Sequence, residues 1–235
     1  VRFTAKEKLV LGIDETGRGA VIGPMVICGL VVREGQQEQL KKMGAKDSKL
    51  LSRRKREELA VKIEKMATHT IVFHIPPCKI DNDRSKGINL NQIEAIKMAD
   101  IINMVEPDMA VVDAPSYNSN KFENYLKSKL KVDGVKLVCE NYADKNWPVV
   151  SGASIVAKVA RDEKIKELEK KLGEPLGVGY PHDTLTIKHL EKVAKENNGK
   201  MPNYVRKSWD TTEQIVKKYR QKGIKSFFKR KKKPC

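Results

Sequence analysis

The sequence predicts an α/β fold: a mixed five-stranded sheet flanked by helices, with a helical appendage toward the C-terminal end. Three observations carry this reading. Short runs rich in β-branched residues alternate with longer segments of helical periodicity, after two opening strand-like runs joined by a tight turn. The chain has 235 residues, of which 40% are hydrophobic, so it can bury a sizeable core. Its longest uncharged run near the front, AVIGPMVICGLVV, is shorter than the ~20 residues that span a bilayer. The β-branched content of that run, with its Gly and Pro, fits a buried strand instead.

Each element follows in order. LVLGIDE (9–15) reads as the first strand and VIGPMVICGLVV (21–32) as the second, with TGRG as the turn between them. EQLKKMG (38–44) is a short helix ended by Gly44, and LSRRKREELAVKIEKMA (51–67) a basic amphipathic helix with Ser52 as N-cap. HTIVFHIPP (69–77) is a third strand. Helix 90–105, strand MAVVDA (109–114), helix 119–130 and strand GVKLVCEN (134–141) come next. A long helix covers 148–173, with Pro148 in its first turn, an apolar first half and a charged second half. Two further helical patterns lie at 186–199 and 211–221, and no internal repeat is present.

Charge and cysteine use narrow the function. Lys and Arg number 47 against 30 Asp and Glu, a net charge of +17 with a pI near 9.6. Such a surface suits a polyanion, because lysine and arginine displace counterions from phosphates, although a merely soluble basic protein has the same composition. Cys28, Cys78, Cys139 and Cys235 form no CxxC pair and have no histidine at zinc-ligand spacing, and the four histidines show no ligand spacing either. Cys28 and Cys139 lie in apolar runs and are expected to be buried thiols. The opening residues carry no signal-peptide pattern, so the expected setting is a reducing cytoplasm, with no membrane partner.

The carboxylates are the informative residues. Asp14 and Glu15 close the first strand, Asp113 closes the fourth, and Asp144 follows the fifth. Functional groups converge at strand ends of an open α/β sheet. Carboxylates gathered at low dielectric repel one another unless a cation joins them. A cluster of oxygen ligands without His or Cys suits Mg²⁺ or Mn²⁺, and in a basic protein two-metal phosphodiester chemistry explains it economically. Any single Asp after a strand is equally a turn former or N-cap, so the inference rests on the set. Neighbours in a strand point to opposite faces, so Asp14 and Glu15 serve one site only if the strand ends there or one gives its backbone carbonyl. Gly17-x-Gly19 is not a dinucleotide fingerprint. Ile22 stands where the third glycine belongs, a strand rather than a helix follows, and two acids precede it.

GIDETGRGAVIGPMV (12–26) resembles the signature of type 2 ribonuclease H, GIDEAGRGPVIGPMV. The likeness continues through AKDSK (45–49), VVDA (111–114), ADKNWPVVSGASIVAKVARD (143–162) and GVGYP (177–181). It implies a ribonuclease H-like sheet with a C-terminal helical appendage. The implied reaction is cleavage of the RNA strand of RNA/DNA hybrids and cutting 5′ of ribonucleotides embedded in duplex DNA. By position, Asp14, Glu15, Asp113 and Asp144 become the catalytic, metal-holding quartet, with two Mg²⁺ or Mn²⁺ ions. Gly17, Arg18 and Gly19 become the loop that senses the ribose 2′-hydroxyl, the group that separates RNA from DNA. Tyr180 becomes the residue that stacks on a deoxyribose. Lys49, Ser154 and Lys158 are candidate phosphate contacts, although Lys158 also has Asp162 at ion-pair spacing. The chain departs from the pattern at Thr16, Ala20, Tyr142 and Val178, none of them a catalytic acid.

QKGIKSFF (221–228) resembles the motif by which replication proteins bind the sliding clamp (PCNA). Ile224, Phe227 and Phe228 share one side of a helical turn and Gln221 offers a polar anchor. A clamp motif on a single-chain enzyme of this family implies an archaeal source, while KRKKK (229–233) reads equally as a eukaryotic nuclear signal. The expected organisation is a catalytic core at 1–176, a substrate-binding loop and helical appendage at 177–220 and a clamp-binding basic tail at 221–235, in a monomer. Two rival readings stand beside this one: another ribonuclease H-like nuclease of the resolvase type, and a non-catalytic hybrid-binding clamp adaptor.

Overall fold

The structure, a computed structural model, describes residues 7–44, 51–115 and 118–229, the side chains of 221–229 excepted. The chain divides into two compact units. The first comprises Val1–Thr16, Val26–His74 and Ile88–Arg161, and the second Gly17–Met25, Ile75–Gly87 and Asp162–Cys235.

The first unit holds the five-stranded sheet. Strands β1 (Leu9–Thr16), β2 (Met25–Arg33), β3 (His69–Ile75), β4 (Met109–Asp113) and β5 (Lys136–Glu140) lie in the order β3-β2-β1-β4-β5. β1 pairs antiparallel with β2 and parallel with β4, and β4 pairs parallel with β5, so the sheet is mixed as expected. Alternation along β1 turns Val10, Gly12 and Asp14 to one face and Leu11 and Ile13 to the other. Three helices cover the first face: α1 (Gln37–Lys42), α2 (Arg53–Met66) and α7 (Pro148–Leu172). Their Leu40, Leu59, Ile63, Val149 and Ala153 form one buried cluster with Val10, Cys28, Leu30 and Val111. The Ser52 hydroxyl caps α2, accepting from the Lys55 N–H at 3.4 Å. α4 (Leu90–Val105) packs on the opposite face, where a Cβ on Gly29 would meet Ile101 Cγ2 at 2.6 Å. α5 (Ser119–Lys127) joins β4 to β5.

Gly12 sets the closest approach. A Cβ there would lie 2.5 Å from the Val149 carbonyl carbon and 2.6 Å from the Val150 nitrogen, so only glycine lets the start of α7 rest on β1. Asp14, two residues on and on the same face, is thereby brought against the next turn of α7.

The second unit has its own apolar cluster, built from Val21, Ile22, Ile165, Leu176, Leu190, Val193, Met201, Val205 and Ile215. It contains α3 (Pro77–Ser85), α8 (Thr184–Glu196) and α9 (Asp210–Lys229). The expected boundary at residue 176 falls inside this unit. The turn after β1 and α3 cluster with the C-terminal region, because Val21 and Ile22 bury their side chains there.

Other expectations shift as well. The second strand begins at Met25 rather than at Val21. Gly23 adopts φ 81° and Pro24 has no N–H, so 21–24 leaves the sheet, and Ile22 forms an isolated bridge with Val205. Helix α3 was not foreseen, since PCKIDNDRS has no apolar periodicity; Pro77 at its first position is its one start signal. Cys28 is buried, and burial first, then Asp14, pushes its thiol up; Cys139 is only half-buried, its thiol pushed up to about 12. Among the described residues no helix is long and apolar enough to cross a membrane.

Candidate active site

The parallel register of β1 and β4 pairs Gly12 with Val111 and Ile13 with Val112. One further step sets Asp14 beside Asp113, and on β5 Asp113 is paired with Glu140. Asp144 follows in α6 (Ala143–Asn146), a four-residue helix entered through Tyr142 in the left-handed conformation, φ 61°. The Ala143 N–H donates to Asp113 Oδ1 at 3.2 Å, which ties the segment carrying the fourth acid to the strand carrying the third. All four sequence-predicted acids line a single cavity of about 400 Å³. Ser154 and Lys158 of α7 line it too, with Arg56 of α2.

Asp14 is the deepest of the four, 6% exposed. Burial holds its carboxyl well above the ordinary range, and the charges of Glu15 and Asp113 push it the same way. Two hydrogen bonds oppose that shift, one from Ser154 and one from the Glu15 N–H, the latter 2.7 Å from Asp14 Oδ1. Ser154, for which the sequence suggested a phosphate contact, is engaged here with an acid of the cavity.

Among the described residues no three His, Cys, Asp or Glu side chains stand close enough to hold an ion as they are. The acids instead surround a shared space. The donor set is all carboxylate, which fits a hard divalent cation. Such a cation would also favour the ionised Asp14 that burial and its neighbours now oppose. The residues therefore fit the ions that the resemblance implies.

The second unit carries the glycine turn and Tyr180. Gly17 adopts φ 81°, and Gly19 is exposed. The turn is held from two sides. The Val21 and Ile22 N–H groups donate to the Gly179 carbonyl at 2.8 and 3.1 Å, joining it to the GVGYP loop. The buried Arg206 guanidinium donates to the carbonyls of Gly17, Arg18 and Gly23. Asp183 and Thr186 shape the GVGYP loop. Asp183 accepts from the Val178 N–H at 2.6 Å, and the Thr186 hydroxyl accepts from the Gly179 N–H at 3.0 Å and donates to the Leu176 carbonyl at 2.8 Å. Tyr180 is half-buried and stacks on His182, ring centroids 5.6 Å apart. Lys49 lies outside the described residues, as do the side chains of Gln221, Ile224, Phe227 and Phe228.

Sequence reasoning missed Arg206, Arg56, and the Glu140–Trp147 pair, in which the indole Nε1–H donates to Glu140 Oε1 at 2.6 Å. No motif marks the two arginines in a chain with 47 basic residues. Glu140 could have been found by the same reasoning as Asp113, as an acid ending an apolar strand.

Comparison with known proteins agrees with this arrangement. A family model described as Ribonuclease HII matches residues 11–212. The Ribonuclease HII of Methanosarcina barkeri is 39% identical over 224 residues, covering 93% of this chain and 100% of its own. The ribonuclease H2 crystal structure from Pyrococcus horikoshii OT3 superposes with a TM-score of 0.83 at 36% identity, over 91% of this chain and 99% of that one. A second similar structure, from the PCNA:RNase HII complex of Archaeoglobus fulgidus, has a TM-score of 0.77 at 36% identity, over 86% and 95%. With the four acids lining one cavity and the likeness running through nearly the whole fold, the chain belongs to the ribonuclease HII family and is a ribonuclease H endonuclease.

Proposed function

We propose that this enzyme hydrolyses the RNA strand of RNA/DNA hybrids and cuts duplex DNA on the 5′ side of embedded ribonucleotides, leaving 5′-phosphate and 3′-hydroxyl ends. That activity would serve ribonucleotide excision and primer removal. The observation that carries this reading is the common cavity of Asp14, Glu15, Asp113 and Asp144, with Arg56 and Lys158 at its wall.

Asp14, Glu15, Asp113 and Asp144 would hold two Mg²⁺ or Mn²⁺ ions, Glu15 by its carboxylate or its backbone oxygen. When bound, such ions lower the pKa of an attacking water and offset charge on the departing 3′-oxygen. Ser154 orients the Asp14 carboxylate by its hydrogen bond. Lys158 and Arg56 attract the substrate phosphates, and Lys49 adds a further phosphate contact. Gly17-Arg18-Gly19 reads the ribose 2′-hydroxyl, and Tyr180 stacks on a deoxyribose. The C-terminal segment Gln221, Ile224, Phe227 and Phe228 binds a sliding clamp; the relative seen in a PCNA complex supports this assignment.

The test is Asp14→Asn on a duplex carrying one ribonucleotide, with Mg²⁺, with Mn²⁺ and with EDTA. Cleavage should fall about 10³-fold or more while hybrid affinity in EDTA is kept. Turnover retained by the variant would remove this mechanism. Hybrid binding without any cleavage by the wild-type chain would favour a binding-only adaptor.

A further inference from the structure

Arg206 is fully buried, and its guanidinium is solvated by peptide carbonyls. Nη2 donates to the Gly17 carbonyl at 2.6 Å and Nη1 to the Arg18 carbonyl at 2.7 Å. Nε and Nη2 both reach the Gly23 carbonyl at 3.3 Å. Its own N–H donates to the Val21 carbonyl at 2.9 Å. The Trp209 ring lies under the fork, 4.8 Å from its carbon to the ring centroid, and Arg84 stands 4.9 Å from the same ring. The Lys207 and Ser208 N–H groups donate to Asp81 of α3 at 2.9 and 3.1 Å, fixing the backbone that delivers Arg206 and Trp209.

This geometry has a consequence for the turn. A trans peptide holds its C=O and N–H on opposite sides. The Gly17 carbonyl shares a peptide with the Arg18 N–H, and the Arg18 carbonyl shares one with the Gly19 N–H. Drawing both carbonyls onto one planar fork turns both N–H groups away from it. Two successive N–H groups are thereby set on the side away from the guanidinium, in the arrangement of a donor pair for a hydroxyl or phosphate oxygen. Lysine cannot reproduce this, because its ammonium lacks the rigid planar fork that engages several convergent acceptors at once.

We propose that Arg206 is a positioning residue that sets the shape of the ribose-reading turn, and through it the enzyme's selectivity for a 2′-hydroxyl. This rests on the assignment of Gly17-Arg18-Gly19 to the ribose. The experiment compares kcat/KM, with Mg²⁺ present, on two duplexes that differ at one position: a ribonucleotide in one, its 2′-fluoro analogue in the other. The ratio of the two values is the readout. Loss of folded protein lowers both values together and leaves the ratio unmoved, so a merely structural role does not affect it. Arg206→Gln is expected to lower the ratio about tenfold or more, with Arg206→Lys in between. If Arg206→Gln does not fold, Arg206→Lys carries the test. A folded variant that keeps the wild-type ratio overturns the proposal. Gly19→Ala separates the two assignments, since its added methyl meets nothing within 4 Å and leaves folding intact. If Gly19→Ala shifts the ratio and the Arg206 variants do not, Arg206 has no such role. If none of them shifts it, the turn does not read the ribose.

Discussion

His189 shows how one side chain in the second unit links local charge to stability. It is buried on α8, with Nδ1 3.1 Å from Glu174 Oε1 and Nε2 3.0 Å from the Tyr204 hydroxyl. A neutral ring has one donor. Glu174 can only accept, so Nδ1 carries the proton and Nε2 accepts from Tyr204. Burial holds the His189 pKa below its ordinary 6.5 and outweighs the opposing pull of Glu174; Lys192 lowers it further and Glu196 raises it. The unfolded chain therefore binds a proton first as pH falls, so stability is full above 6.5 and is lost as pH drops through the folded value. Glu174, held below its ordinary 4.5 chiefly by Lys192, adds its own loss only at lower pH. Urea unfolding at pH 7.5, 6.5 and 5.5 should show falling stability across that window, and His189→Gln should flatten the decline. An equal slope in both proteins would show that His189 is not its source. At this scale the four acids of the cavity were legible and the arginines were not. An acid that ends an apolar run in a strongly basic chain is an unusual event in the sequence. Arg206 differs from the other basic residues only by the three carbonyls that converge on it, and they come from nearly two hundred residues away in the chain.

Among the elements, α6 is the shortest α-helix of the described residues and carries one of the four acids. Its four residues cannot hold a helix by their own propensity, since even isolated helices of ~12 residues are marginal in water. Tertiary bonds hold it instead: Asp113 accepts from the Ala143 N–H, and Glu140 at the end of β5 accepts from the Trp147 indole just beyond the helix. Asn146 reaches the same carboxylate oxygen at 3.4 Å. Trp147→Phe keeps the packing of the ring and removes the charged hydrogen bond, worth about 1.5–3 kcal/mol. Asp144 would then be less firmly placed. The expected result is a lower kcat together with a higher Mg²⁺ concentration for half-maximal activity, while hybrid affinity in EDTA is unchanged. An unaltered Mg²⁺ requirement would mean that Glu140 and Trp147 do not position the fourth acid. The same physics explains which elements the sequence revealed. β1, β4, α2 and α4 follow from local periodicity and caps; Asn89, for example, accepts from the Gln92 N–H while Gln92 reaches back to the Asn89 N–H. α3 and α6 have no periodic apolar face, so beyond Pro77 at the start of α3 nothing local announces them.

At the scale of the whole molecule, the two units are assembled from interleaved stretches of chain, and this the sequence could not disclose. Periodicity is a local signal, whereas the second unit gathers 17–25 and 75–87 with the C-terminal third through contacts such as Val21 and Ile22 with Leu190 and Val205. The linear order does bear on the end of α9, whose backbone continues as helix through Lys229 and so includes QKGIKSFF. Two forces could attach this segment to a clamp. An apolar anchor of Ile224, Phe227 and Phe228 would fill a pocket and resist salt. The lysines and arginine that follow would act by charge, and salt would screen them. The two are separable by titrating a sliding clamp with the full chain at low and high salt. With the apolar anchor, Phe227→Ala/Phe228→Ala should weaken binding ~10–100-fold at either salt, as removal of aromatic hot-spot residues does. Neutralising residues 230–233 should then change mainly the salt dependence and the association rate. Binding that survives the double substitution and disappears with salt would assign the contact to the basic tail and remove the clamp motif from the reading.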